Sequence, residues 1–133
     1  MDQTTLVEMQ INDGSTFLEH LSNEGVAVTA AGWLKESEDG QWFLYVATPL
    51  VTEDDATRKA YRRVNAIMRE LRTLSFDAFV IKVISPSDAI ALDLVKVHQQ
   101  RPGNRVRYQS GGHFGYLSVD AAYIYPPVSC TAV

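Results

Sequence analysis

The chain has 133 residues, 46% apolar and 21% charged, with eight Gly and five Pro; it is long enough to bury one ordinary core and too short for two. That balance excludes a disordered chain and a collagen-like or low-complexity one. The net charge of −4 hides an asymmetry, because residues 1–57 carry eleven acids and one base, Lys35, whereas residues 58–133 carry eleven bases and five acids; the halves attract, and the surface is either neutralised or dipolar.

Thr5, Val7, Met9 and Ile11 alternate with Leu6, Glu8 and Gln10, the period of a half-buried strand, and Asn12-Asp13-Gly14 breaks it. A short helix follows, capped by Ser15, buried through Phe17, Leu18 and Leu21, and closed by a left-handed Gly25. Val26 to Lys35 and Gln41 to Thr48 read as a hairpin, reversed by Glu36-Ser37-Glu38-Asp39-Gly40. Trp42 to Val46 is apolar on both alternating faces, which predicts a central, helix-covered strand ended by Pro49. Thr52-Glu53-Asp54-Asp55 places acids at the start of a helix running to about Leu74, with Ala60, Tyr61, Val64, Ile67, Met68, Leu71 and Leu74 on its buried face. Asp77 to Ile84 is a strand. Ser85-Pro86-Ser87-Asp88 then supplies a cap, a first-turn proline and an early acid for a helix to about Gln100, closed by Pro102-Gly103. Arg105 to Gln109 and Tyr123 to Tyr125 read as short strands around a Gly111-Gly112-His113-Phe114-Gly115 loop.

The order β-α-β-β-α-β-α-β-β predicts a single α+β domain over residues 1–133, a mixed sheet with helices packed on it and a mobile tail from about residue 127. Crossovers from Val46 to Phe79 and from Ile84 to Val106 are expected to be right-handed if they join parallel neighbours. The longest apolar runs, near Phe79 to Ile84 and Trp42 to Ala47, are too short to span a bilayer. Residues 1–5 lack the layout of a secretory or transit peptide, and the single cysteine, Cys130, forms no internal disulfide. A cytoplasmic protein is the expectation.

Two places draw functional interest. Arg58, Arg62, Asn65, Arg69 and Arg72 follow one another at helical spacings and fall on one line, and Arg105, Arg107 and a stacking Tyr108 come later in the chain. Such a set suits phosphates and nucleic-acid backbones; the simpler account is a solvated face paired with the N-terminal acids. His113 in its glycine-rich loop is the second, an imidazole beside amides open to an anion. No motif assembles a nucleophile, base and orienting acid. No His-x₃-His, His-x-x-x-Asp or Cys pair occurs, so neither a metal site nor a cofactor is expected. Tyr123 and Tyr125, on a terminal strand, are candidates for an edge that pairs with another chain.

Gly32-Trp-Leu-Lys-Glu, Gln41-Trp-Phe-Leu-Tyr-Val-Ala-Thr-Pro-Leu-Val and Ala122-Tyr-Ile-Tyr-Pro resemble segments of small bacterial proteins of unknown function, and the resemblance implies no activity. The reading that follows is a non-enzymatic interaction or accessory module of a bacterial cytoplasm, binding a protein or a second copy of itself. The alternatives are nucleic-acid or phosphate binding through the arginine face, and a small hydrolase or transferase using His113.

Overall fold

The computed structural model describes residues 8–37, 40–49, 54–71, 80–100 and 107–126. In chain order the elements are α1 (Glu8–Asn23), β1 (Ala30–Glu36), β2 (Trp42–Ala47), α2 (Asp54–Glu70), β3 (Ile81–Ile84), α3 (Ala89–Gln100), β4 (Arg107–Phe114) and β5 (Leu117–Ile124). The strands form one mixed sheet in the order β3-β2-β1-β5-β4, with β3 parallel to β2 and every other neighbour antiparallel. This is the expected α+β class with helices against a mixed sheet.

Side-chain alternation along the strands divides the core in two. Ala31, Trp33, Leu44, Val46, Ile81 and Val83 meet Phe17, Leu18 and Leu21 of α1 and Val64, Ile67 and Met68 of α2. Ala30, Leu34, Tyr45, Ala47, Ala122 and Ile124 meet Ile90, Ala91 and Leu94 of α3. The sheet is therefore sandwiched between α1 with α2 and α3, because its central strands are apolar on both faces. A register shift at Lys35/Glu36 breaks the alternation of β5, which puts Val119 in the same cluster as Ala122.

The N-terminal expectation is corrected. Residues 8–11 belong to α1, which runs through Asn12-Asp13-Gly14 without a break; residues 5–7 lie outside the described residues. Ile11, Gly14, Leu18 and Leu21 recur at three and four, so the segment has a helical stripe as well as an alternating one, and Met9, which a half-buried strand would cover, is exposed. Tertiary contact decides between the two. Gly14 sits against Tyr125 and Trp33, where an added Cβ would collide with the Tyr125 hydroxyl and come 3.0 Å from the Trp33 indole nitrogen. It is a packing glycine in place of the expected turn. Gly25, at φ +86, closes the helix as expected, with Val26 N–H donating to the Leu21 carbonyl at 2.9 Å.

The β1–β2 hairpin stands as read, and β2 is central. The first crossover does join parallel neighbours, β2 and β3. The second does not, since β3 and β4 form opposite edges of the sheet. Asp88, not Ser85, caps α3, its Oδ1 accepting from Ile90 N–H at 2.9 Å, and Pro86 lies in the turn before the helix. The glycine-rich loop is corrected too. Gly111, Gly112 and His113 belong to β4, and only Gly115 and Tyr116 make the reversal to β5. Gly115 N–H donates to Asp93 Oδ2 at 2.6 Å, and a Cβ there would lie 2.8 Å from Ala89 and from Ile90 N, so the hairpin tip docks against the start of α3.

β5 lies between β1 and β4, so Tyr123 and Tyr125 do not form an edge. Tyr125 is buried, its hydroxyl accepting from Trp33 Nε1 at 2.9 Å and donating to the Ile11 carbonyl at 2.6 Å. The last strand to be made is interior because the long β4–β5 hairpin supplies the edge strand itself.

Candidate functional site

The outward face of α2 is set by its inward one. Val64, Ile67 and Met68 are buried, with Tyr61 and Leu71 packed beside them, so the 3.6-residue period turns Arg62, Ala66 and Arg69 to solvent. Tyr61, Arg62, Asn65, Ala66 and Arg69 line one shallow depression of about 370 Å³. Its Tyr61 wall is fixed, because the hydroxyl accepts from Val83 N–H of the edge strand β3 at 2.9 Å. The expected line of side chains is thus continuous over Arg62, Asn65 and Arg69. The side chain of Arg58 and the whole of Arg72 lie outside the described residues.

Among the described residues, no N-terminal acid pairs with either of the two arginines at the centre of this face. Lys82–Glu36 and Lys96–Asp93 are ion pairs and His20 Nε2 lies 3.8 Å from Glu70 Oε2; neither Arg62 nor Arg69 takes part in these contacts. Arg63, off the line, donates to the Glu24 main-chain carbonyl at 2.9 Å. Arg62 and Arg69 are exposed and have no carboxylate partner among the described residues.

The other candidates are spread over the molecule. Tyr108 lies on β4, at the sheet edge opposite β3, against which α2 packs, so it does not extend the α2 face. Arg105 and the Arg107 side chain lie outside the described residues. Tyr108 instead pairs across the strands with Tyr123, ring centroids 4.9 Å apart, and Tyr123 meets Trp42 at 5.6 Å. This aromatic row ends in Tyr108, which is 59% exposed. His113 is exposed on β4 opposite Ser118, and no side chain among the described residues hydrogen-bonds its ring. Ser118 and Asp120 turn to Ser37, at 3.3 and 2.9 Å, and not to His113.

Two groupings were not anticipated from the sequence. Glu36 Oε2 accepts from the Tyr45 hydroxyl at 2.7 Å and from Lys82 Nζ at 3.0 Å, and Lys82 Nζ also lies 4.2 Å from the Phe43 ring centre. Burial, then the hydrogen bond and charge of Glu36, push the Tyr45 phenol well above its ordinary range. A neutral phenol whose acceptor is already taken is a lock between strands, unsuited to act as a base. The register Tyr45↔Lys82 was the missing signal, because it depends on which strands become neighbours.

The second is at the end of α1 and α2. His20, Glu24 and Glu70 each place a donor atom within 4.8 Å of the other two. The sequence signal for its first pair, His20-x₃-Glu24, falls outside the His–His and His–Asp spacings considered above. Two side-chain atoms on this side of the molecule are occluded without a hydrogen-bond partner, His20 Nε2 and Asn65 Oδ1.

No helix among the described residues is long and apolar enough to cross a membrane. Comparison with known proteins finds no family model that matches this chain, no matching curated protein and no matching solved structure.

Proposed function

We propose that this protein is a binding module whose ligand carries phosphate, gripped by the outward face of α2. The observation that carries this reading is the pair of exposed guanidiniums of Arg62 and Arg69, without an acid partner among the described residues, on either side of Asn65 in one depression. A helical face that only solubilises the fold needs no such concavity. Guanidiniums free of carboxylates retain the planar donor fork that meets phosphate oxygens in pairs. Two arginines about two turns apart suit successive phosphates of a polynucleotide or of a polyphosphorylated small molecule.

Anisotropy of a labelled single-stranded oligonucleotide, with inorganic polyphosphate as competitor, tests it. The chain is expected to bind at low salt, with an affinity that falls as salt rises. The combined Arg62→Glu and Arg69→Glu substitution is expected to reduce the salt slope by about two. No binding at low salt, or equal binding by the double variant, overturns the reading.

A second reading, association with a protein or a second copy, is favoured by the outer strand β4. It is an edge of eight residues whose face carries exposed Tyr108, with exposed Tyr116 in the adjoining turn, the kind of amphipathic rings that anchor interfaces. Light scattering of wild type and Tyr108→Lys separates the two readings: a dimer lost in the variant supports this one, and a monomer at all concentrations removes self-association.

A further inference from the structure

We propose that His20, Glu24 and Glu70 bind a divalent transition-metal ion, zinc being the best match, where α1 and α2 end side by side. The inference is independent of the phosphate reading, which uses a different set of side chains.

Glu24 follows the last residue of α1, yet its N–H still donates to the His20 carbonyl at 3.0 Å. The helical turn therefore carries one residue past Asn23 and stacks His20 and Glu24 on one face. Glu70 is the final residue of α2, which packs on α1. His20 Nε2 lies 3.8 Å from Glu70 Oε2, too far for a hydrogen bond. Two ligands of a tetrahedral zinc, with bonds of about 2.1 Å, stand roughly 3.4 Å apart. Small rotations of two exposed carboxylates close the set.

The state of His20 is the second observation. Its Nε2 has almost no contact with solvent and no hydrogen-bond partner, although the ring as a whole is 26% exposed. A buried imidazole nitrogen left without a partner is costly, and a cation placed between it and the carboxylates removes that cost.

The charges agree. A neutral imidazole and two carboxylates balance a divalent ion, and the C-terminal ends of both helices add partial negative charge. Arg63 is a cation close to this corner. Its guanidinium is held on the Glu24 carbonyl oxygen, and the Glu24 carboxylate has no ion pair among the described residues. One nitrogen and two oxygen donors fit zinc or a neighbouring transition metal. Magnesium and calcium favour all-oxygen shells, which the imidazole of His20 does not suit. Three protein ligands leave a fourth position to water.

Calorimetric titration of zinc into the full chain, with cobalt absorption as the geometric probe, tests this on wild type, on Glu70→Gln, and on His20→Gln combined with Glu24→Gln. Wild type is expected to take one zinc, to show the visible cobalt bands of a four- or five-coordinate site, and to melt at higher temperature with zinc present. Each variant is expected to bind about a hundredfold more weakly, at or beyond the loss caused by removing a supporting partner, and to melt at the same temperature with or without zinc. Absence of stoichiometric binding by wild type overturns the proposal. Equal binding by the variants also overturns it, placing the ion on other donors such as His98, His113 or Cys130. Circular dichroism checks the fold, and Glu70→Gln, at a side chain 53% exposed, preserves the test if the His20 pair disturbs the helix.

Discussion

Tyr125 shows how one side chain ties distant parts of the chain together. Its hydroxyl joins the Trp33 indole of β1 to the Ile11 carbonyl of α1, and Gly14 leaves room for it. Tyr125→Phe removes both hydrogen bonds of the buried hydroxyl, from Trp33 Nε1 and to the Ile11 carbonyl, and is expected to cost about 1–3 kcal/mol in denaturant unfolding. Gly14→Ala, which in an exposed helix would stabilise, is expected to destabilise by about 1–3 kcal/mol through overpacking; a raised unfolding midpoint would refute the packing role. Burial raises the phenol of Tyr125, partly offset by the Trp33 N–H, and burial with Glu36 raises that of Tyr45. A phenol that holds its proton more tightly when folded contributes stability that is complete below its unfolded value of 10.0 and is lost as pH climbs above it. Of the six tyrosines, these two are expected to give no phenolate absorbance until the chain unfolds, so an alkaline titration should show a late, cooperative step coincident with loss of circular dichroism.

At the scale of elements, α2 does two jobs with one period. Its buried side closes the core over β2 and β3, and Tyr61 reaches past the sheet edge to accept from Val83 N–H. Tyr61→Phe is expected to cost about 1 kcal/mol and to raise amide exchange at Val83 selectively, because the unpaired edge donor then faces water. Both faces of α2 were legible in the sequence, since a helical period is a local property and arginines at intervals of three and four must fall together. The start of α1 was not. Residues 8–14 satisfy a strand period and a helix period at once, and only the fit of Gly14 under Tyr125, a residue more than a hundred positions away, selects the helix. The sequence predicts a β4–β5 hairpin that is too short for a similar reason, as the turn position is fixed by docking of Gly115 on Asp93 and Ala89 of α3.

For the whole molecule, a sheet apolar on both faces makes one folding unit of two cores. Leu34→Ala, on the α3 side, and Leu44→Ala, on the α1 and α2 side, are each expected to lower a single unfolding transition by about 2–5 kcal/mol. Far-ultraviolet and near-ultraviolet circular dichroism should report coincident curves in both; separate transitions would mean that the layers fold independently. By itself the sequence determined the class of fold, the hairpin, the buried stripes of α1 and α2 and the arginine face, because all of these follow from residue types and spacings within about twenty positions. Strand order was decided only in three dimensions, and with it the interior place of β5, the Glu36–Tyr45–Lys82 lock and the meeting of His20 and Glu24 with Glu70. Each of those joins groups far apart in the chain, and no local pattern records which distant surfaces come to lie against one another when the two apolar faces are covered.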